Sequence, residues 1–597
     1  MSKHKIIVAT LLLLAMVAAC APAATPAPPT APAAPPAAVA TSAPAAPTAP
    51  AAVATAAPAA PTAPPAVAPG LPADAAPQDK QVLKIAWQGF GSQEPLAPWS
   101  VRWGGQAVAI NEFLSPVYHD VEFQARPLLA ESVTASADKK TWTIKVNAKA
   151  VWSDGTPVTA QDFKDAWEWI TLPAQKISNI TGYALADAKG FKDVADGKAT
   201  DITGLVVKDA KTLEIQLNNP DAFLDHKLSI YWLGVVPAKE LKADPNYLAK
   251  PNPRVNGPYQ VTAIDATGRN VVMSRNPRWW GDKPIFERLE LVVAEELSAF
   301  EALVEKGQVD FAYSFGDIAS RRKLVGRTPG AREEANKLPF GIYSSFHWNV
   351  PPVDDLNVRK ALIHSVNFKE LAEVATEGTQ KAWLGLLHPE LQLGCYNPAH
   401  ESYFEFNVAK AKEYLAASKY KTAAGLGKIR VTSNSTGAAQ KKAVQIIMEM
   451  WRTNLGITDV EFKEQPSGFG PDEKLVVLDR QSIGARPPND QVWMTVNMKS
   501  TQIHATRFFG GYKNETLDKQ VDAIGAMDPK DPNLCAKIRE AEKTFLEDYM
   551  LFPLWRQSGD FAIAQPWVKN VKLNPYLAPI GWFGGGVPQG YVTTAKK

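Results

Sequence analysis

The chain has 597 residues, 46% hydrophobic and 21% charged, with a formal net charge of +3. That is enough sequence for two or three domains with ordinary cores, and so small a charge gives no electrostatic basis for gripping nucleic acid or an anionic membrane surface. Three cysteines and eight histidines are scattered without C-x-x-C or H-E-x-x-H spacing, so neither a metal site nor another cofactor is expected.

The first element is a leader. Lys3 and Lys5 precede an apolar run from Ile6 to Val17, which is shorter than the roughly 20 residues of a spanning helix. Residues 1–19 read as a secretion signal. Val17-Ala18-Ala19 leads directly into Cys20, an order that resembles the bacterial lipobox, in which the cysteine is diacylated and becomes the mature first residue. The alternative is ordinary cleavage beside a bystander cysteine. Two acyl chains anchor stably where one is marginal. Losing Lys3 and Lys5 with the leader removes two positive charges and leaves +1. No other run of 18 or more apolar residues occurs, so no transmembrane helix is expected.

Residues 20–80 are dominated by Ala, Pro, Thr and Val and cannot build a core. Frequent prolines favour extended polyproline II at about 3.1 Å per residue, which would reach well over ~100 Å. The tract is either a spacer behind the lipidated cysteine or low-complexity filler.

Folded sequence begins near Gln81. Trp142, Ile144 and Val146 alternate with polar residues as in a half-buried strand, and Asp154-Gly155 marks a turn. Thr159 and Asp162 fit a capping box ahead of a helix carrying Phe163, Ala166, Trp167 and Ile170. Leu213, Ile215 and Leu217 repeat the strand period, and Asp355 is placed to cap a helix with Val358, Ala361, Leu362 and Val366 on one face. The body is mixed α/β without the regular alternation of a single doubly wound domain. With Cys20 set aside, Cys395 and Cys535 either pair in an oxidising compartment or stay as two buried thiols. Sequence spacing does not decide between them.

Five blocks in order resemble one family. They are PLLAESVTASADKKTWTIKVNAKAVWSDGTPVTAQDF, VNGPYQVTAIDATGRNVVMSRNPRWWGDKP, FHWNVPPVDDLNVRKALIHSVN, FNVAKAKEYLAASKY and KIREAEKTFLEDYMLFPLW. Together they cover nearly all of 81–597 and identify the chain as similar to extracellular solute-binding protein family 5, the oligopeptide- and dipeptide-binding proteins of bacterial ABC importers. GFKDVADGKATDITGLVVKDAKTLEIQL looks closer to the oligopeptide branch. The resemblance implies a two-lobed α/β fold of the type II periplasmic-binding-protein class with an extra domain inserted in lobe I. On this chain lobe I would take 81–105, 200–314 and 548–597, the insert 106–199, and lobe II 315–547, with two or three crossings as a hinge.

It also implies a function: a lipid-anchored protein on the extracytoplasmic face of the cell membrane, expected as a monomer, that captures a peptide or similar small solute between its lobes and delivers it to an ABC permease and ATPase complex. A sensory receptor or envelope chaperone using the same cleft is the alternative. In oligopeptide binders one stretch carries an arginine, a tryptophan, then Ala-Asp-Tyr, whose aspartate holds the peptide α-ammonium. Here LVVLDRQSIGARPPNDQVW places Arg480 at the arginine, Ile483 at the tryptophan and Arg486 at the aspartate. A cation there repels an ammonium and favours a carboxylate, phosphate or sulfonate. Two alternatives stay open: a slipped register in which Asp490 supplies the acid, or an Arg486 that simply faces solvent. Trp103 and Gly104 fall where the family backbone approaches ligand, or in a plain turn, and Tyr183 in the insert is a further candidate. Trp152, Asp154, Gly155, Thr156 and Pro157 are expected to be turn and packing residues. No G-x-S-x-G, Walker or dinucleotide motif occurs, and GWFGGG lacks a strand-to-helix context for phosphate. An enzyme is therefore not expected.

Overall fold

The computed structural model describes residues 70–88, 96–98, 103–119, 124–175, 178–265, 270–294, 296–313, 318–335, 339–348, 350–433, 438–464, 481–484, 489–502, 505, 509–558, 561–571 and 590–596. The leader, Cys20, most of the Ala/Pro tract, Arg480, Arg486 and GWFGGG lie outside them. Among the described residues no helix is long and apolar enough to cross a membrane, and no cluster of His, Cys, Asp or Glu is placed to hold a metal ion.

Local signals in the sequence set the local structure. Strand Thr141–Val146 buries Trp142, Ile144 and Val146 and turns its polar residues outward. Helix Ala160–Thr171 opens on a reciprocal capping box between Thr159 and Asp162, which satisfies two donors that would otherwise be orphaned. Asp355 caps helix Leu356–His364 through the Asn357 amide. The Trp152–Pro157 stretch is a clamped turn: Gly155 takes φ +90°, and Asp154 pairs with Arg254 at 2.9 Å. The Arg254 guanidinium in turn lies 4.4 Å above the buried Trp152 ring.

The largest sheet has seven strands in the order Arg332–Ala335, Phe561–Ala564, Phe311–Tyr313, Val82–Gln88, Arg288–Ala294, Val271–Arg275 and Tyr259–Ile264. Val82–Gln88 is parallel to both neighbours, and the remaining pairs are antiparallel. A four-stranded antiparallel sheet, in the order Ala130–Ala135, Thr141–Val146, Thr212–Gln216 and Leu205–Asp209, adjoins it. Both contribute to one continuous core that holds Leu83, Ile85 and Trp87 with Trp142, Ile144 and Trp167. A second core, from Ile342 to Trp555, is built around the three-stranded sheet Gln481–Gly484, Pro339–Ser345 and Leu551–Ser558.

Two cores make two lobes, but their borders differ from those expected. Arg332–Ala335 belongs to the lobe I sheet, so lobe II starts near residue 339 rather than 315. Leu551–Ser558 belongs to the lobe II sheet, so that lobe ends near 558 rather than 547. The insert is likewise longer, because its sheet runs to Gln216, and it shares the lobe I core instead of closing one of its own. Among the described residues the chain crosses between lobes twice.

The VNGPY block explains how lobe I is stapled. Asn256 Oδ1 accepts from Leu114 N at 2.8 Å while its Nδ2 donates to Val235 O at 2.7 Å. Gly257 lies so close to helix Trp103–Glu112 that a Cβ would come within 2.3 Å of Asn111 O. At the end of that helix Glu112 is buried and accepts from Val261 N at 2.6 Å. Burial pushes its carboxyl from about 4.5 up to about 8, against the pull of that amide. Between those values the unfolded carboxyl has lost its proton and the folded one keeps it, so this group's contribution to stability falls as pH rises. Glu112→Gln should therefore gain stability over the parent from about pH 5 to about pH 8, reaching a few kcal/mol, when denaturant midpoints are compared. Parallel pH profiles would show that Glu112 titrates normally.

Candidate functional site

The first strand and its two parallel neighbours end together at Gln88, Ala294 and Tyr313, where the Trp87 and Tyr313 rings meet with centroids 4.8 Å apart. In open α/β sheets ligands bind beyond the carboxyl ends of such strands, where strand order reverses. Lobe II attaches at that edge. Tyr313 at the end of its strand faces Ala562, and Ala335 faces Phe561, so both crossings leave from the carboxyl side. The seam between the lobes is accordingly the candidate site.

From lobe I, residues 221–223 reach the seam on a rigid turn. Asp221 accepts from Phe223 N at 2.9 Å and from Lys227 Nζ at 2.6 Å, and its carbonyl accepts from Trp142 Nε1 at 3.1 Å. The aspartate two residues ahead of the amide it holds is a local turn device. Held this way, Ala222 N donates across the seam to Gly525 O at 3.3 Å. Phe223 packs on Val492 and Val496 of helix Asp490–Asn497, with Tyr183 against the same cluster. Tyr183 also stands edge-on to Trp232, centroids 5.8 Å apart.

Charge crosses the seam at two further points. Burial pulls the Lys499 ammonium down, but its 2.6 Å bond to Asp522 and the charge of Asp187 on the opposite lobe outweigh this and hold its pKa above the usual value. Lys323, on helix Ile318–Arg327, donates to Glu377 of lobe II at 2.9 Å. That pair is exposed, and such pairs contribute about 0–1 kcal/mol.

The expected site residues scatter. Tyr183 is at the seam. Trp103 and Gly104 begin helix Trp103–Glu112 rather than a plain turn. Arg480 and Arg486 lie outside the described residues, on either side in sequence of strand Gln481–Gly484. That strand pairs with Phe340–Tyr343 on one side, and its other side carries no strand among the described residues. Asp490 does not fit the expected capture of an ammonium. It is fully buried, and its two carboxylate oxygens accept from Leu393 N at 2.8 Å and Cys395 N at 3.1 Å. Cys395 and Cys535 are bonded, with Cα atoms 4.9 Å apart. Asp221, Phe223, Lys499 and Trp232 were not singled out in the sequence. Only Asp221 carries a local signal, as the opening residue of a turn after Asn-Pro.

Residues 124–500 match the family model described as the middle region of bacterial extracellular solute-binding proteins, family 5. Among curated relatives, the oligopeptide-binding protein OppA of Bacillus subtilis is 29% identical over 56% of this chain, and the match spans 62% of OppA's own length. The periplasmic murein peptide-binding protein MppA of Escherichia coli is 25% identical over 74% of this chain and 81% of its own. Among solved structures, that of E. coli MppA superposes with a TM-score of 0.72 at 21% identity, over 87% of this chain and 100% of MppA. Haemophilus influenzae OppA in complex with RPPGFSPFR gives 0.70 at 20% identity, over 86% and 99%. With its two-lobed type II architecture and a family match across more than half its length, the chain belongs to bacterial extracellular solute-binding protein family 5.

Proposed function

We propose that this protein is a lipid-anchored extracytoplasmic receptor that encloses a peptide or similar small solute between its lobes and hands it to an ABC importer. The observation that carries the binding reading is the edge strand Gln481–Gly484, paired on one side only among the described residues, in the lobe that faces the carboxyl edge of the lobe I sheet. Such an edge receives extended backbone through main-chain hydrogen bonds and leaves side chains loosely read. The family and the relatives' names support a peptide; Cys20 and the Ala/Pro tract behind it support the anchor.

Arg480 and Arg486 flank that strand in sequence, and in this reading they favour an acidic or capped ligand end over a free ammonium. Calorimetric titration with a peptide pool and its N-acetylated counterpart tests both points. Saturable binding that survives acetylation is expected. No binding of either pool would remove the peptide reading, and tight binding lost on acetylation would remove the role given to Arg486.

Closure requires contacts made only when the lobes are shut, and Phe223 supplies some of them. Phe223→Ala should raise the radius of gyration of the ligand-free protein in small-angle scattering while leaving the helical content intact. An unchanged radius would show that this cluster does not hold the seam. For the anchor, Cys20→Ala should move the protein from membranes to the soluble fraction, and continued membrane partitioning would contradict lipidation there.

A further inference from the structure

Lobe II carries a second concavity, of about 470 Å³, which is within the range of small-molecule sites. The described residues lining it all come from lobe II, and none of them is among the seam residues named above. Its walls are loop segments between residues 378 and 401, helix Phe368–Ala375 and the strand Leu551–Ser558.

The loop is held far more firmly than its lack of regular structure would require. Asp490 and the Cys395–Cys535 bond fix its middle, and Arg539 Nε donates to Cys395 O at 2.8 Å. Buried Glu542 accepts from the amides of Leu386 and Leu387 and from His400 Nδ1 at 2.7 Å. Trp383 closes the floor against Gly341, where a Cβ would fall 1.9 Å from the indole. Rigid loops on a scaffold are where binding residues concentrate.

Within these walls Arg556 is the salient group. Its strand position is fixed by register against Gly341, and its amide donates to Lys381 O at 2.9 Å, which sets two cations side by side on the wall. The Arg556 guanidinium has no carboxylate or carbonyl partner among the described residues. Glu401 is already engaged by the Tyr396 hydroxyl. Behind the neighbouring Pro389, His388 is fully buried with its Nε2 unpartnered and its Nδ1 accepting from Glu390 N at 3.1 Å. Burial and the Arg556 charge push that imidazole down to about 3. Lys369, Lys381 and Arg556 outnumber Glu373 and Glu401 around the opening, while Trp383 and Leu384 give an apolar wall.

We propose that this concavity is an accessory site for a small organic carboxylate with an apolar body, its carboxylate taken by the Arg556 fork beside Lys381 and its body laid on Trp383 and Leu384. A planar guanidinium matches a carboxylate bidentately, and an aromatic or aliphatic body suits the wall.

The test uses phenylacetate as the probe and ligand-observed NMR on the full-length protein, with and without saturating peptide pool. Saturable binding that persists with peptide present is expected. It should weaken at least tenfold in Arg556→Gln and severalfold in the rim variant Lys381→Glu, with unchanged thermal midpoints and peptide titration. Three outcomes would overturn the proposal: no saturable binding, displacement of phenylacetate by the peptide pool, or equal affinity in parent and both variants. Failure here would leave peptide capture at the seam untouched, because the peptide titration is read separately.

Discussion

Two stretches of chain pair with each other twice, once in each lobe, and the rest of the architecture depends on it. Arg332–Ala335 runs antiparallel to Phe561–Ala564 in the seven-stranded sheet, and just beyond, Pro339–Ser345 runs antiparallel to Leu551–Ser558 in lobe II. The ladder stops at Ala335 opposite Phe561 and resumes at Pro339 opposite Ser558. Among the described residues, the strands that enter and leave each crossing are therefore paired neighbours on both sides of the join. A join of that kind permits rotation of one rigid body against the other while both ladders stay intact, which is the hinge form of domain closure.

Each lobe closes its own core, so the seam need not supply the core of either. Among the described residues its apolar content is small: Phe223, Val492 and Val496 with Tyr183 and Ala222 beside them. Burying one such aromatic contributes about 1.5–3 kcal/mol, and the exposed Lys323–Glu377 pair adds little. A balance this shallow can be tipped by a bound solute, whose differential contacts with the shut and open forms need supply only a few kcal/mol. The turn at 221–223 shows how the weak contact is nonetheless made specific: Asp221 is fixed by Phe223 N, Lys227 and Trp142, so Ala222 and Phe223 arrive at lobe II already oriented.

Much of the local structure was legible in the sequence because its causes are local. The alternation of Trp142, Ile144 and Val146, the Thr159–Asp162 box and the Asp355 cap each act within a few residues, and each appears where expected. The lobe borders were not legible. Arg332-Glu333-Glu334-Ala335 has no apolar alternation, and it is a strand only because Phe561–Ala564, more than two hundred residues later, offers it an edge. Asp490 misled for a similar reason. A carboxylate near a ligand-binding stretch suggests a partner for an ammonium, but the amides of Leu393 and Cys395 come from a loop that the sequence does not place beside it. Phe223 and Lys499 carry no motif, since their roles exist only once the two lobes meet.

The claim that unites these features is that the seam encloses a solute. Native mass spectrometry of the protein purified without refolding addresses it most directly. The account predicts a non-covalent adduct of defined mass that is released on denaturation or acquired on incubation with a peptide pool. A spectrum showing only the bare protein under both conditions would contradict it.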